Sequence, residues 1–148
     1  MEEQRAVNEV LCAENCLARW FWKSGSLSLD GQTVPWEIQC ANTCPENFLW
    51  QEDKSTILTV ESGLYECSLA FFSQKKPTIQ LLVNGETLLS VVNSTSYVVH
   101  HGAGKVSSRT SQQAQTGLSL TEFIVLPERA CIQIIYNVQR ETTHNRSC

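Results

Sequence analysis

The clearest pattern in the chain is an alternation of side chains along residues 64–72, LYECSLAFF. Successive side chains of an extended strand point to opposite faces of the sheet. One face of this stretch carries Tyr65, Cys67, Leu69 and Phe71, which are all apolar or aromatic, whereas the face with residues 64, 66, 68, 70 and 72 is mixed. The pattern predicts a half-buried β-strand with the first face turned to the core.

The chain as far as residue 138 continues as short apolar runs between polar turns. Asn84-Gly85 predicts a type I′ turn, because both residues tolerate a positive φ, so residues 79–83 and 86–92 should pair antiparallel. Further strands are predicted at residues 26–29, 34–39, 48–50, 57–60, 97–100, 117–126 and 130–138. The polar residues 105–117 are expected to be a mobile loop or an exposed edge. About nine or ten strands without βαβ alternation predict an all-β sandwich or jelly roll.

In the N-terminal segment the apolar residues recur with the period of a helix rather than that of a strand. Residues 2–23 contain no Gly or Pro, and their apolar positions follow spacings of four, three, four and three. This is the a/d pattern of a helix that contacts a second helix, and it predicts one N-terminal α-helix within residues 1–24, followed by a β-domain over residues 25–148. The seam is the candidate oligomer interface, formed by Ala6, Val10, Ala13, Leu17 and Trp20. An amphipathic helix docked on its own domain is the alternative.

Three segments resemble the C1q/TNF-like jelly-roll superfamily, and its C1q branch more than its TNF branch. Residues 61–72, ESGLYECSLAFF, look like its Gly-Leu-Tyr strand; residues 79–86, IQLLVNGE, look like the next strand and turn; residues 116–136, TGLSLTEFIVLPERACIQIIY, look like its closing pair. Ser62 stands where the family has proline, Pro127-Glu128-Arg129 replaces a Gly-Asp turn, and the family's last strand is not visible after Val138.

The resemblance implies a jelly roll that forms a trimer about a three-fold axis, often at the end of a collagen or coiled-coil stalk. The predicted N-terminal helix occupies the position of such a stalk. We therefore expect a homo-oligomer, either a trimer or a dimer, that also binds a protein partner whose identity the sequence does not give. The polar loop at residues 102–117 is a candidate contact surface.

Charge and cysteine content narrow the class of protein. The net charge of -4 argues against nucleic acid or an anionic membrane as a partner, and no apolar run is long enough to span a bilayer. The charged N-terminus, MEEQRAVNEV, is unlike a signal peptide, so we expect a cytoplasmic protein or a piece of a longer chain.

Seven cysteines cannot all pair within one molecule, and we expect mostly reduced thiols. The sequons at Asn93 and Asn145 favour the alternative, a secreted glycosylated ligand.

Candidate chemistry is sparse. Two Cys-x3-Cys pairs, Cys12/Cys16 and Cys40/Cys44, could form halves of a zinc site with His100 and His101, but their spacing is not that of common zinc ribbons. Cys67 with either histidine could form a nucleophilic pair, and Glu52 and Asp53 could bind calcium. No feature marks any of these as activated. We therefore predict a non-enzymatic interaction and self-association module without a cofactor, metal or catalytic residue.

Overall fold

The computed structural model describes residues 16–23, 32–72, 77–93, 96–110, 112–114 and 117–138. These residues form thirteen β-strands in the described part of the chain: β1 (Ala18–Phe21), β2 (Gln32–Thr33), β3 (Ile38–Asn42), β4 (Phe48–Trp50), β5 (Ile57–Thr59), β6 (Gly63–Phe72), β7 (Pro77–Val83), β8 (Glu86–Asn93), β9 (Ser96–Gly102), β10 (Lys105–Thr110), β11 (Gln112–Ala114), β12 (Gly117–Leu126) and β13 (Ala130–Val138). The predicted all-β class and its sandwich-like antiparallel sheets are confirmed.

The strands form three antiparallel sheets. The large sheet has the order β10-β9-β8-β7-β13-β5-β4, with β2 also pairing with β13. The small sheet has the order β11-β12-β6, and β1 pairs with β3 in a two-stranded ribbon. The chain passes from the large to the small sheet between β5 and β6 and returns between β6 and β7. It crosses again between β10 and β11 and between β12 and β13, so sequential neighbours repeatedly lie in opposite layers.

The core lies between the large and the small sheet, because each turns an apolar face inward. The large sheet contributes Ile79, Leu81, Leu89, Val91, Val99 and Ile134, and the small sheet contributes Leu69, Leu120, Ile124 and Leu126, all of them buried. The predicted inner face of β6 is confirmed: Leu69 is buried, and Tyr65, Cys67 and Phe71 pack against the same cluster.

Tight turns fix the register at one end of the large sheet. Asn84 and Gly85 have φ values of 52° and 82°, which are the two positive values that a type I′ turn needs. The side-chain oxygen of Asn84 accepts the backbone N–H of Cys131 at 2.8 Å, which ties this turn to β13. The predicted hairpin of β7 and β8 is therefore confirmed.

The N-terminal helix prediction is wrong where the structure describes it. Ala18–Phe21 is a strand that pairs with Ile38–Asn42, while residues 1–15 lie outside the described ranges. Trp20 and Trp22 attach this ribbon to the sandwich through edge-to-face contacts, Trp20 with Phe48 at 6.5 Å and Trp22 with Tyr136 at 5.4 Å between ring centroids. These aromatic contacts favour the strand over a helical seam. The boundary predicted between residues 24 and 25 stays a prediction, because residues 24–31 are not described.

A disulfide links Cys16 to Cys44, across a sequence separation of 28 residues. The expectation of reduced thiols is therefore wrong for these two cysteines, and Cys44 is bonded to Cys16 rather than to Cys40, which is nearer in the sequence. Cys40, Cys67 and Cys131 are free thiols in the described part of the chain. The disulfide anchors the start of the ribbon to the corner that leads from β3 into β4, beside the hydrogen bond from the Leu17 N–H to the Thr43 hydroxyl.

Of the remaining strand predictions, most are confirmed, one is partly wrong and one lies outside the described residues. Those at residues 48–50, 57–60, 97–100, 117–126 and 130–138 are confirmed with small shifts in their ends. The strand predicted at residues 34–39 is wrong for residues 34–37, which connect β2 to β3. Residues 105–110 form an edge strand, in agreement with one of the two expectations for that polar stretch, and residues 26–29 lie outside the described part.

Removal of the disulfide by the double substitution Cys16→Ser and Cys44→Ser should lower the free energy of unfolding by about 3 kcal/mol, because a loop of this length would no longer be restricted in the unfolded chain. Urea denaturation of the oxidised protein and the variant measures the difference. The matched control is Cys131→Ser, since Cys131 is free and exposed, and it should change stability little. Equal midpoints for the double variant and the unsubstituted protein would contradict the predicted contribution.

Candidate functional site

The outer face of the small sheet carries an exposed apolar cluster. Leu64 pairs directly with Val125 across β6 and β12, and Phe123 pairs with Glu66 on the same face. Leu64, Phe123 and Val125, which we call the outer patch, are 69%, 63% and 76% exposed. Isolated apolar side chains are normal on protein surfaces, but a contiguous group on one sheet face is typical of an interaction site.

The middle of that face is polar and small, so the outer patch has a clear border on this side. Ser68 and Thr121 pair across β6 and β12, and their hydroxyl oxygens are hydrogen-bonded at 3.1 Å. Ala70 pairs with Ser119 beyond them. Glu66 is the only ionised residue of β6. The face therefore offers an apolar contact at one end and a small, uncharged surface in its middle, at Ser68, Ala70, Ser119 and Thr121.

One carboxylate on the inner side of β12 joins the two sheets. Glu122 accepts a hydrogen bond of 2.8 Å from the hydroxyl of Tyr97, a residue of β9 that is only 5% exposed. The Nε of Arg109 on β10 lies 3.7 Å from the same carboxylate oxygen. Burial of Tyr97, with a further contribution from its bond to Glu122, raises the pKa of the tyrosine to about 12. This polar bridge fixes the position of β9 and β10 over β12.

The predicted oligomer interface is only partly described. Leu17 is 60% exposed, and Trp20 lies on β1, where its indole N–H donates to the Gln39 side-chain oxygen at 3.0 Å. Ala6, Val10 and Ala13 lie outside the described residues. The two described members do not form a helical seam, and the role of the set as an interface stays a prediction.

The candidate zinc ligands are not brought together in the described ranges. Cys44 is bonded to Cys16, the Cys40 thiol donates to the Arg19 carbonyl at 3.4 Å, and Cys12 is not described. His100 is hydrogen-bonded to Ser90 at 2.9 Å and His101 to Ser107 at 2.6 Å. Among the residues that the structure describes, no group of three or more His, Cys, Asp or Glu side chains could hold a metal ion.

The surroundings of Cys67, considered as a nucleophile, and of Asp53, considered as a calcium ligand, do not favour these roles. Burial raises the pKa of the Cys67 thiol to about 11, which disfavours the thiolate that a nucleophile needs. Asp53 accepts hydrogen bonds from the backbone N–H groups of Ser55 and Thr56 and from the Thr56 hydroxyl. The hydroxyl bond is the main reason that the Asp53 pKa lies below its ordinary value. Its carboxylate therefore stabilises the turn before β5.

A shallow cleft of about 550 Å³ lies where the turns after β7, β9 and β12 meet. Its wall combines the polar groups of Asn84, Glu86, His101 and Lys105 with the ring of Pro127. The charged groups in the wall are of both signs, so the cleft does not select one sign of ligand charge. The glycine-rich part of the predicted contact loop, at residues 102–104, forms one side of it.

These observations define the class of protein as an all-β domain with sandwich-like antiparallel sheets. A family model described as a domain of unknown function (DUF8789) matches residues 17–145, so the chain belongs to that family. The search of curated proteins gives no match. In the described part of the chain there is no helix with the length and hydropathy needed to cross a membrane.

Sequence reasoning did not single out the outer patch or the polar bridge. A signal for the patch was present, because Phe123, Ile124 and Val125 are consecutive apolar residues in a predicted strand. Alternation requires two of the three to point outward if the middle one is buried. The bridge of Glu122 to Tyr97 had no such signal, since the two residues are brought together only when the sheets face each other.

The raised pKa of Tyr97 predicts a distinct alkaline transition. Because the unfolded tyrosine ionises near its ordinary pKa of 10.0 and the folded one near 12, the unfolded state binds fewer protons in this interval. Stability should be fully present below pH 10 and should fall as the pH rises towards 12. Absorbance titration of tyrosinate should show one tyrosine that ionises late, and Tyr97→Phe should remove that component. A titration with no late component would contradict the burial of this hydroxyl.

Proposed function

We propose that this protein is a non-enzymatic protein–protein interaction module that self-associates, with the outer patch as its contact surface. The single observation that carries this proposal is the exposure of Leu64, Phe123 and Val125 as one cluster on a sheet face. Burial of such a cluster against a protein removes apolar area from water and so favours association. The low charge of the surrounding face favours the same conclusion, since charged residues are depleted in the centres of interfaces.

We propose further that the sandwich is a jelly roll of the C1q/TNF-like kind. The repeated passage of the chain between the large and the small sheet supports this, because a jelly roll is a double sheet with strands that connect across the layers. The resemblance of residues 61–72, 79–86 and 116–136 to that superfamily supports it as well. On this proposal the protein forms a homo-oligomer, either a trimer or a dimer, and binds a protein partner.

The test of self-association uses size-exclusion chromatography with light scattering. The unsubstituted protein should have a mass that is a multiple of its 16.6 kDa chain. Leu64→Asp should raise the dissociation constant by at least about tenfold, since burial of a leucine contributes about 1.5–3 kcal/mol. The matched control is Val106→Asp, which places the same charge at another exposed apolar position, on β10, and should leave the mass unchanged. A strictly monomeric protein at micromolar concentrations would reject self-association.

A second candidate is a secreted, glycosylated ligand of the same superfamily, and the Cys16–Cys44 disulfide favours it. Disulfides persist in oxidising compartments and are rare in the cytosol. This observation weighs against the cytoplasmic location expected from the charged N-terminus. The sequon at Asn93 is compatible with secretion.

Mass spectrometry of the protein isolated from cells under thiol-blocking conditions separates the two candidates. Secretion predicts a linked Cys16–Cys44 pair and a glycan on Asn93. The cytoplasmic alternative predicts free thiols at both cysteines and an unmodified asparagine. Asn93→Gln is the matched control, because it removes the glycan mass without changing the cysteines.

A further inference from the structure

Strand β6 is an edge of the small sheet in the described part of the chain, and it differs from the other sheet edges. It has ten residues, and its pairing with β12 is continuous from Gly63 to Phe72 without a bulge. It contains no lysine, arginine or proline, which are the residues that commonly protect an edge from pairing. Glu66 is its only charge.

The other edges carry those protections. The edge strand β10 of the large sheet contains Lys105 and Arg109 and has a register shift between Lys105 and Val106. The other edge strands of these two sheets are very short: β4 and β11 have three residues each, and β2, which in the described residues pairs only with β13, has two. A charged, bulged or very short edge is a poor template for a further strand. Only β6 combines length, regular register and lack of charge.

The side chains of β6 also indicate an incomplete core at this edge. Tyr65 and Phe71 point into the core with Leu69, yet they are only half-buried whereas Leu69 is buried. A strand laid along β6 would cover the rest of their surface and would satisfy the backbone groups that β12 leaves open. The edge therefore requires an extended strand with the same alternation of apolar and polar faces.

We infer that β6 pairs antiparallel with β6 of a second copy of this chain, across a two-fold axis at Ser68, and joins the two small sheets into one. This inference rests on the proposed self-association and assigns it to the edge of the small sheet, where Leu64 is the member of the outer patch at the contact. Strand β6 itself has the alternation that the edge requires, and a two-fold axis normal to a sheet makes equivalent strands antiparallel. With Ser68 opposite Ser68, the inner faces of both copies remain on the same side of the joined sheet.

Strand length and electrostatics together favour this register: an axis near the middle of β6 pairs most of its ten residues, and the axes nearest to Glu66 bring the two carboxylates together. An axis at Glu66 would place two carboxylates directly opposite each other, which is destabilising. An axis at Ser68 places Glu66 opposite Ala70 of the second copy and separates the two carboxylates by about 13 Å along the strands. Leu64, the member of the outer patch on β6, then lies beside the second copy.

Cysteine cross-linking tests the register. The parent protein retains the Cys16–Cys44 disulfide and carries serine in place of Cys12, Cys40, Cys131 and Cys148 and alanine in place of Cys67. Ser68→Cys in this parent should form a disulfide-linked dimer on mild oxidation, because directly opposed residues lie within bonding reach. The matched control is Thr121→Cys, which loses the same Ser68–Thr121 hydrogen bond but lies one strand away from the edge, about 14 Å from its equivalent.

The outcomes separate this inference from the proposed function. A covalent dimer with Ser68→Cys and its loss with Thr121→Cys support the two-fold pairing. Equal cross-linking of both variants, or a trimeric mass by light scattering, overturns the pairing and leaves self-association in place. A monomeric unsubstituted protein removes both.

Hydrogen exchange of the unsubstituted protein gives a test without any substitution. Peptides that cover residues 63–72 should exchange slowly at high concentration and faster after dilution below the dissociation constant. Peptides that cover β10 should exchange at the same rate in both conditions. Protection of β6 that does not change with concentration would mean that the chain covers its own edge, and it would overturn the inference.

Discussion

The inner faces of the large and the small sheet bury Ile79, Leu81 and Leu89 against Leu120 and Leu126, and the other features of the fold depend on this contact. Burial of each such side chain contributes about 1.5–3 kcal/mol, which exceeds the net contribution of about 0.5–1.5 kcal/mol from a typical neutral hydrogen bond. A shift of one residue in any strand would turn its apolar set to water. The register is therefore fixed by the core, and the turn at Asn84 and Gly85 agrees with it. The outer patch is notable against this background, because it places apolar side chains where the core does not need them.

Sequence patterns between near neighbours were sufficient to predict most strands of the sandwich. The alternation along residues 64–72 identified the inner face of β6, and Asn84-Gly85 identified the hairpin, because both signals act between near neighbours. The N-terminal strand was missed for a physical reason: the spacing of Leu17 and Trp20 fits a helix, but the edge-to-face contacts of Trp20 and Trp22 exist only after the sandwich forms. Tertiary contacts can thus override a short periodic signal.

The candidate site was less accessible to sequence reasoning than the fold. A disulfide pairing cannot be deduced from cysteine positions alone, so the link from Cys16 to Cys44 had no decisive signal. The disulfide also weighs against the cytoplasmic location that we expected from the charged N-terminus, because disulfides are rare in the cytosol. The three consecutive apolar residues from Phe123 to Val125 did contain two members of the outer patch, but only the pairing of Val125 with Leu64 shows that the patch is one surface. For Cys67, the structure adds what the sequence could not give: burial raises the pKa of its thiol, which disfavours the thiolate.

The position of β13 has a consequence for biosynthesis. This strand lies in the middle of the large sheet, between β7 on one side and β5 and β2 on the other, although it follows all of them along the chain. A nascent chain that has not emerged as far as Ala130 cannot complete the large sheet. The edges of β5 and β7 that pair with β13 then have no partner. Pairings of such long sequence separation form slowly, and exposed flanks invite aggregation during that delay. The interval before β13 pairs is therefore the stage of folding at which unpaired strand edges of the large sheet are most exposed.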